Sequence, residues 1–66
     1  MYRFEYGFEG FRGIEYASIE SEEVVKALWG HPCKVKLKMN CKDHNLYEIY
    51  ETPENITYEA RVYKES

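Results

Sequence analysis

The residues best suited to chemistry in this 66-residue chain are two cysteines and two histidines, arranged as His31-x-Cys33 and Cys41-x-x-His44. Thiolate and imidazole are the ligand types of structural zinc. The residues between them argue against a shared metal. Val35, Leu37 and Met39 alternate with Lys34, Lys36 and Lys38, the period of an extended strand with one buried face. Eight residue steps separate Cys33 from Cys41, and at ~3.3 Å per step an extended chain carries them roughly 26 Å apart. Sulfurs sharing one zinc must lie within about 4 Å of each other. A disulfide likewise needs Cα atoms within ~7 Å. The expectation is therefore no metal, no cofactor and two unpaired thiols. The opening MYRFEYGFEG has no apolar run of the kind a secretory signal carries, so the thiols suggest a reducing, cytoplasmic setting.

Other catalytic constellations are weaker. A Cys–His pair needs an orienting third group and an oxyanion site, and His31 beside Pro32 and His44 within Lys42-Asp43-His44-Asn45 read as solvated loop residues. Glu22 and Glu23 are accounted for by a helix dipole, and Glu51 and Glu54 flank a turn. The glycine-rich GFEGFRG lacks the Lys-Ser/Thr of a phosphate loop. Asn55-Ile56-Thr57 matches a glycosylation acceptor, which carries weight only in a secreted chain. No enzyme is expected.

Charge is segregated along the chain. Residues 1–25 carry two basic and six acidic side chains, residues 26–42 five lysines and no acid, and residues 43–66 two basic and six acidic, for a net charge of −3. An acidic molecule repels nucleic acid at long range, yet a basic strip attracts it at close range. Lys34, Lys36 and Lys38 on one strand face, near tyrosines, are the candidate contacts for single-stranded nucleic acid. The same lysines also suit a defended sheet edge, or neutralise acidic strands if the basic segment lies between them. Seven tyrosines among 17% aromatic residues exceed what a small one-helix core can bury, and tyrosine is enriched at protein interfaces.

These residues need elements to hold them. Tyr2, Phe4, Tyr6 and Phe8 recur at period two, Gly7, Gly10 and Gly13 surround a turn, and Ile14 to Glu20 returns antiparallel. Ser21 with Glu22 and Glu23 opens a helix whose Val24/Leu28 and Val25/Trp29 pairs share a stripe, and Gly30 and Pro32 close it. Strands follow over residues 34–40, Leu46 to Glu51, and Ile56 to Tyr63, with turns at 42–45 and 52–55. The inner face of the second of these is ambiguous, because Leu46/Glu48/Tyr50 and Tyr47/Ile49/Glu51 score equally. The order is ββαβββ: one α+β domain over residues 1–66, a short helix on an antiparallel sheet of four to five strands. A chain of this length buries only about 60% of the surface its unfolded form exposes. No stretch approaches the ~20 apolar residues of a transmembrane helix, so no membrane association is expected.

The reading that follows is a small non-enzymatic protein-binding module, an inhibitor or adaptor of a larger protein or nucleoprotein assembly approached through a basic surface. Glu20, Glu22 and Glu23 at the helix start, with Glu59 and Tyr63 on the last strand, are its candidate contacts, and a homodimer is admissible. Its build is similar to that of small phage or mobile-element accessory proteins that block host machinery. The alternative is the nucleic-acid reading on Lys34, Lys36 and Lys38.

Overall fold

The computed structural model describes residues 1–7, 13–55 and 58–65. The GFEGFRG turn beyond Gly7, Phe8, and the start of the last strand at Ile56 and Thr57 lie outside them. The elements run β1 (Tyr2–Gly7), β2 (Gly13–Ala17), α1 (Glu22–Trp29), β3 (Lys34–Asn40), β4 (Asn45–Tyr50) and β5 (Tyr58–Lys64). The ββαβββ order is the expected one, and the fold is α+β. All strand pairings are antiparallel, in the spatial order β2-β1-β5-β4-β3.

Local chemistry accounts for the helix boundaries. Ser21 accepts the Val24 N–H on its hydroxyl at 3.1 Å, satisfying one of the first-turn donors, a cap worth about 1 kcal/mol. Glu22 and Glu23 sit in the positive first turn. At the other end Gly30 adopts φ 82°, and its N–H returns to the Lys26 carbonyl. That left-handed backbone is one glycine adopts without penalty.

The core forms where the helix stripe meets one face of the sheet. Phe4, Tyr6, Val25, Tyr47, Ile49, Ala60 and Val62 are buried, with Tyr2, Val24, Leu28, Trp29, Val35 and Tyr58 packed around them. The register puts Phe4 opposite Val62, and Tyr6 and Tyr47 both opposite Ala60, so two large rings flank one small residue on the central strand. The Tyr6 hydroxyl donates to the Val25 carbonyl at 3.1 Å, tying β1 to the helix backbone. Burial resolves the ambiguous strand: Tyr47 and Ile49 face the helix.

Two readings of the middle of the chain change. The lysine-rich strand does not lie between the acidic ones but forms an edge, paired among the described strands with β4 alone. Its alternation is also interrupted by a register shift between Leu37 and Met39: Leu37 faces Tyr47, whereas Met39 faces Leu46. One extra residue in a strand breaks the inside–outside rhythm; ahead of it Val35 is half-buried and Leu37 exposed, and beyond it Met39 is exposed. Residues 34–40 are nonetheless one strand, with Cys33 and Cys41, both free thiols, at its opposite ends. Burial pushes the Cys33 thiol upward, and Glu51 adds to this while Lys26 opposes it, the reverse of an activated thiolate. Chelator or reductant is expected to leave the melting temperature unchanged; loss of the fold together with one equivalent of zinc would contradict the strand geometry.

Candidate functional site

The expected contact residues divide between the two sides of the sheet. On the helix side, Glu20 holds structure together: its Oε2 accepts from the Asn45 amide at 2.6 Å and the Tyr47 hydroxyl at 2.8 Å. Glu22 accepts the Leu37 backbone N–H at 3.0 Å, bonding α1 to strand β3. Glu23 is exposed. Glu59 and Tyr63 are on the opposite, helix-free face. Glu59 lies 3.9 Å from Lys38 Nζ. The Tyr63 ring has the Arg3 guanidinium 4.6 Å from its centroid and the His44 ring 5.1 Å away.

The helix-free face is laced by charge. Arg3 pairs with Glu5 and Glu65, each at 3.2 Å. Lys38 reaches Glu48 at 3.5 Å, and the Tyr50 hydroxyl donates to the same carboxylate at 2.8 Å. That hydrogen bond pushes the Tyr50 hydroxyl upward. Glu48 is only 8% exposed, a carboxylate whose burial is offset by an ammonium and a phenol. Of the three lysines, Lys38 is thus engaged with two carboxylates, while Lys34 and Lys36 stand exposed on the edge.

His44 departs from the solvated-loop reading. Its side chain is largely covered, its ring packs on Tyr63, and Nδ1 lies 2.7 Å from Asp43 Oδ1. This contact holds the Asp43 carboxyl below its usual range. His31 is exposed, with its ring edge-on to Trp29.

The two edges of the sheet are finished differently. Strand β3 has three lysines, a register irregularity, and a carboxylate from α1 on one of its backbone N–H groups. Charge, bulges and covering groups are the standard means of preventing a further strand from adding. Strand β2, Gly13-Ile14-Glu15-Tyr16-Ala17, has no lysine, no proline and a regular register with β1. Ile14 is 39% and Tyr16 56% exposed. Both project from the helix-free face, since they pair with Glu5 and Arg3 on β1, while Glu15 pairs with Phe4 on the other. Just beyond the strand, Ile19 is 64% exposed. Sequence reading missed Ile14 and Tyr16 as candidate contacts, because alternation alone does not reveal which strand has a neighbour on only one side.

Among the described residues no group of three or more His, Cys, Asp or Glu side chains is placed to hold a metal ion, and no helix is long and apolar enough to cross a membrane. Comparison of the chain with protein-family models, curated proteins and solved structures finds no match.

Proposed function

We propose that the protein is a non-enzymatic binding module, an inhibitor or adaptor, that takes an extended segment of a partner protein as an added strand along β2. The observation that carries this reading is the contrast between the edges: β3 is defended by charge, bulge and carboxylate, whereas β2 has none of these among the described residues and exposes an isoleucine and a tyrosine. In strand addition the main chain supplies the hydrogen bonds and alternate side chains supply selectivity. Here Ile14 and Tyr16 would meet apolar residues of the incoming segment, and Glu15, exposed on the opposite side, would meet a basic one. A second copy is a poorer occupant in the register centred on Glu15, which sets two carboxylates against each other. The partner segment is therefore one that alternates apolar with basic residues, in keeping with a basic surface on a larger assembly. The nucleic-acid alternative loses ground because Lys38 is already paired.

An Ile14→Lys/Tyr16→Lys double variant is expected to stay folded with a modest loss of stability, on the order of 1 kcal/mol, because both positions are exposed but sit opposite Glu5 and Arg3 on β1. It should lose affinity for the captured partner by about 30-fold, the loss typical of removing a buried interface aromatic. Lys36→Glu should leave capture intact, and capture should survive nuclease. Capture that ends with nuclease, or that ignores the double variant, would refute the proposal. So would a homodimer that the double variant disrupts, since β2 would then be occupied by its own copy.

A further inference from the structure

An open groove of about 630 Å³ runs between α1 and the outer strand β3, lined by Glu22, Glu23, Lys26 and Ala27 of the helix and by Lys34 and Val35 of the strand. Along it, residues 34–37 keep a regular register with β4, and the irregularity comes only after Leu37. Val35 and Leu37 pair with the buried Ile49 and Tyr47, which places them on the helix side of the sheet, while Lys36 pairs with Glu48 on the other side. Backbone N–H groups of an antiparallel strand alternate between its two flanks. The Leu37 N–H donates to Glu22 Oε2 at 3.0 Å, so it points away from β4, where a further strand would bond. The Glu22 carboxylate thus stands in the place of an incoming carbonyl.

We infer, resting on the reading of β2 as an open edge, that this groove and the β3 edge form a seat for strand β2 of a second copy, and that Glu22 holds the seat shut. The segment that suits β2 alternates apolar with basic residues, and Lys34-Val35-Lys36-Leu37-Lys38-Met39 is such a segment. With Glu15 set antiparallel and opposite Lys36, Ile14 falls opposite Leu37 and Tyr16 opposite Val35. One opposite-charge pair is then flanked by two apolar pairs. The apolar pairs share the face of β3 that bears the groove, with Ala27 and Val35 in its lining. Ile14 and Tyr16 come from the helix-free face of their own copy, so the joined sheets carry their helices on opposite sides. Charge selects this pairing over the alternatives. Two β2 strands centred on Glu15 oppose carboxylates, and two β3 strands oppose lysines. The lysines therefore repel a second β3 but attract Glu15, and against β2 the defence falls to Glu22. A contact between two different edges is head-to-tail and repeats without closing. Glu22 keeps the chain from polymerising and leaves β2 free for its partner.

Glu22→Ala removes the carboxylate, whereas Glu22→Gln keeps an amide oxygen able to accept the Leu37 N–H. In sedimentation velocity, Glu22→Ala is expected to assemble with a Kd on the order of 100 μM, its mean mass rising past that of a dimer, while the wild type and Glu22→Gln stay monomeric. Circular dichroism checks the fold, and Glu22→Ser, too short to reach Leu37, replaces the alanine variant if that one melts. Adding Ile14→Lys/Tyr16→Lys to Glu22→Ala should abolish assembly. That triple variant has an open seat and a blocked strand, so it should still bind the wild type as a one-to-one pair. Glu15→Lys should weaken Glu22→Ala assembly about fivefold, and Lys36→Glu should restore it. A folded Glu22→Ala that stays monomeric would overturn the inference, and the β2 reading would then stand or fall on partner capture alone. Assembly that survives Ile14→Lys/Tyr16→Lys would also overturn it, by assigning the contact to other surfaces, as would a triple variant that does not pair with the wild type. Assembly as expected, with partner capture indifferent to Ile14→Lys/Tyr16→Lys, would keep the seat and remove the partner from β2.

Discussion

Phe4→Ala is expected to lower the melting temperature by about 20 °C or more. Phe4 is fully buried in the middle of β1, with Val62 beside it on β5 and Glu15 beside it on β2. Removing a buried phenylalanine side chain costs about 3–5 kcal/mol in lost transfer energy and residual cavity. A domain of 66 residues has roughly 3–10 kcal/mol in total, at about 0.05–0.15 kcal/mol per residue. The truncation therefore removes between a third and all of it. Ile49→Val, at an equally buried position, should cost only about 1 kcal/mol and give a folded, less stable protein. Thermal melts followed by circular dichroism check both, and a cooperative Phe4→Ala melt close to the wild type would place the core elsewhere.

Alkaline unfolding is the second large effect. Burial pushes the Tyr6 hydroxyl far above the ordinary phenol range, with Glu15 and Cys33 adding to it. Tyr47 is pushed the same way, first by burial and then by its hydrogen bond to Glu20. In the unfolded chain both titrate near 10. Below that pH each is protonated in both states, and the stabilisation from the neutral buried phenol is fully present. Above it the unfolded state releases protons that the folded state retains, so stability falls by about 1.4 kcal/mol per pH unit for each tyrosine. Two such groups should unfold so small a domain by about pH 11–12 at 25 °C. Tyrosinate absorbance from these two residues should rise together with the loss of circular dichroism, and Tyr6→Phe should make the decline shallower. A fold that persists unchanged at pH 12 would contradict the burial of both hydroxyls.

The helix was legible because its signals are local. Ser21, Glu22, Glu23 and Gly30 act within one turn of themselves, and the bounds they imply are those observed. The strands were legible as strands, but their neighbours were not. Which strand stands at an edge depends on pairings between β1 and β5, across most of the chain, and local periodicity carries no information on that scale. The irregularity at Leu37/Met39 was hidden for a related reason, since the apolar–lysine alternation continues through it and only the partner strand reveals the slip. The face of Glu48 was ambiguous in the sequence, and it is buried on the helix-free side because Tyr50, two residues along the strand, and Lys38, from the neighbouring strand, close over it. Of the expected contact residues, Glu20 and Glu22 carry internal hydrogen bonds instead, which their acidic type at a helix start could not distinguish from an outward-facing role.

The strand order β2-β1-β5-β4-β3 gives the last strand a particular standing during synthesis. Two hairpins, β1–β2 and β3–β4, can each form as soon as their own residues have been made, but in the finished sheet they share no hydrogen bonds with each other. Strand β5 enters between β1 and β4, and the Glu65 N–H then bonds back to the Met1 carbonyl at 2.8 Å. A nascent chain that has not yet released β5 therefore exposes two half-sheets with open inner edges, and the closing step is a long-range one of the kind that slows folding. Until it occurs, the inner edges of β1 and β4 are as available to another strand as β2 is in the finished molecule.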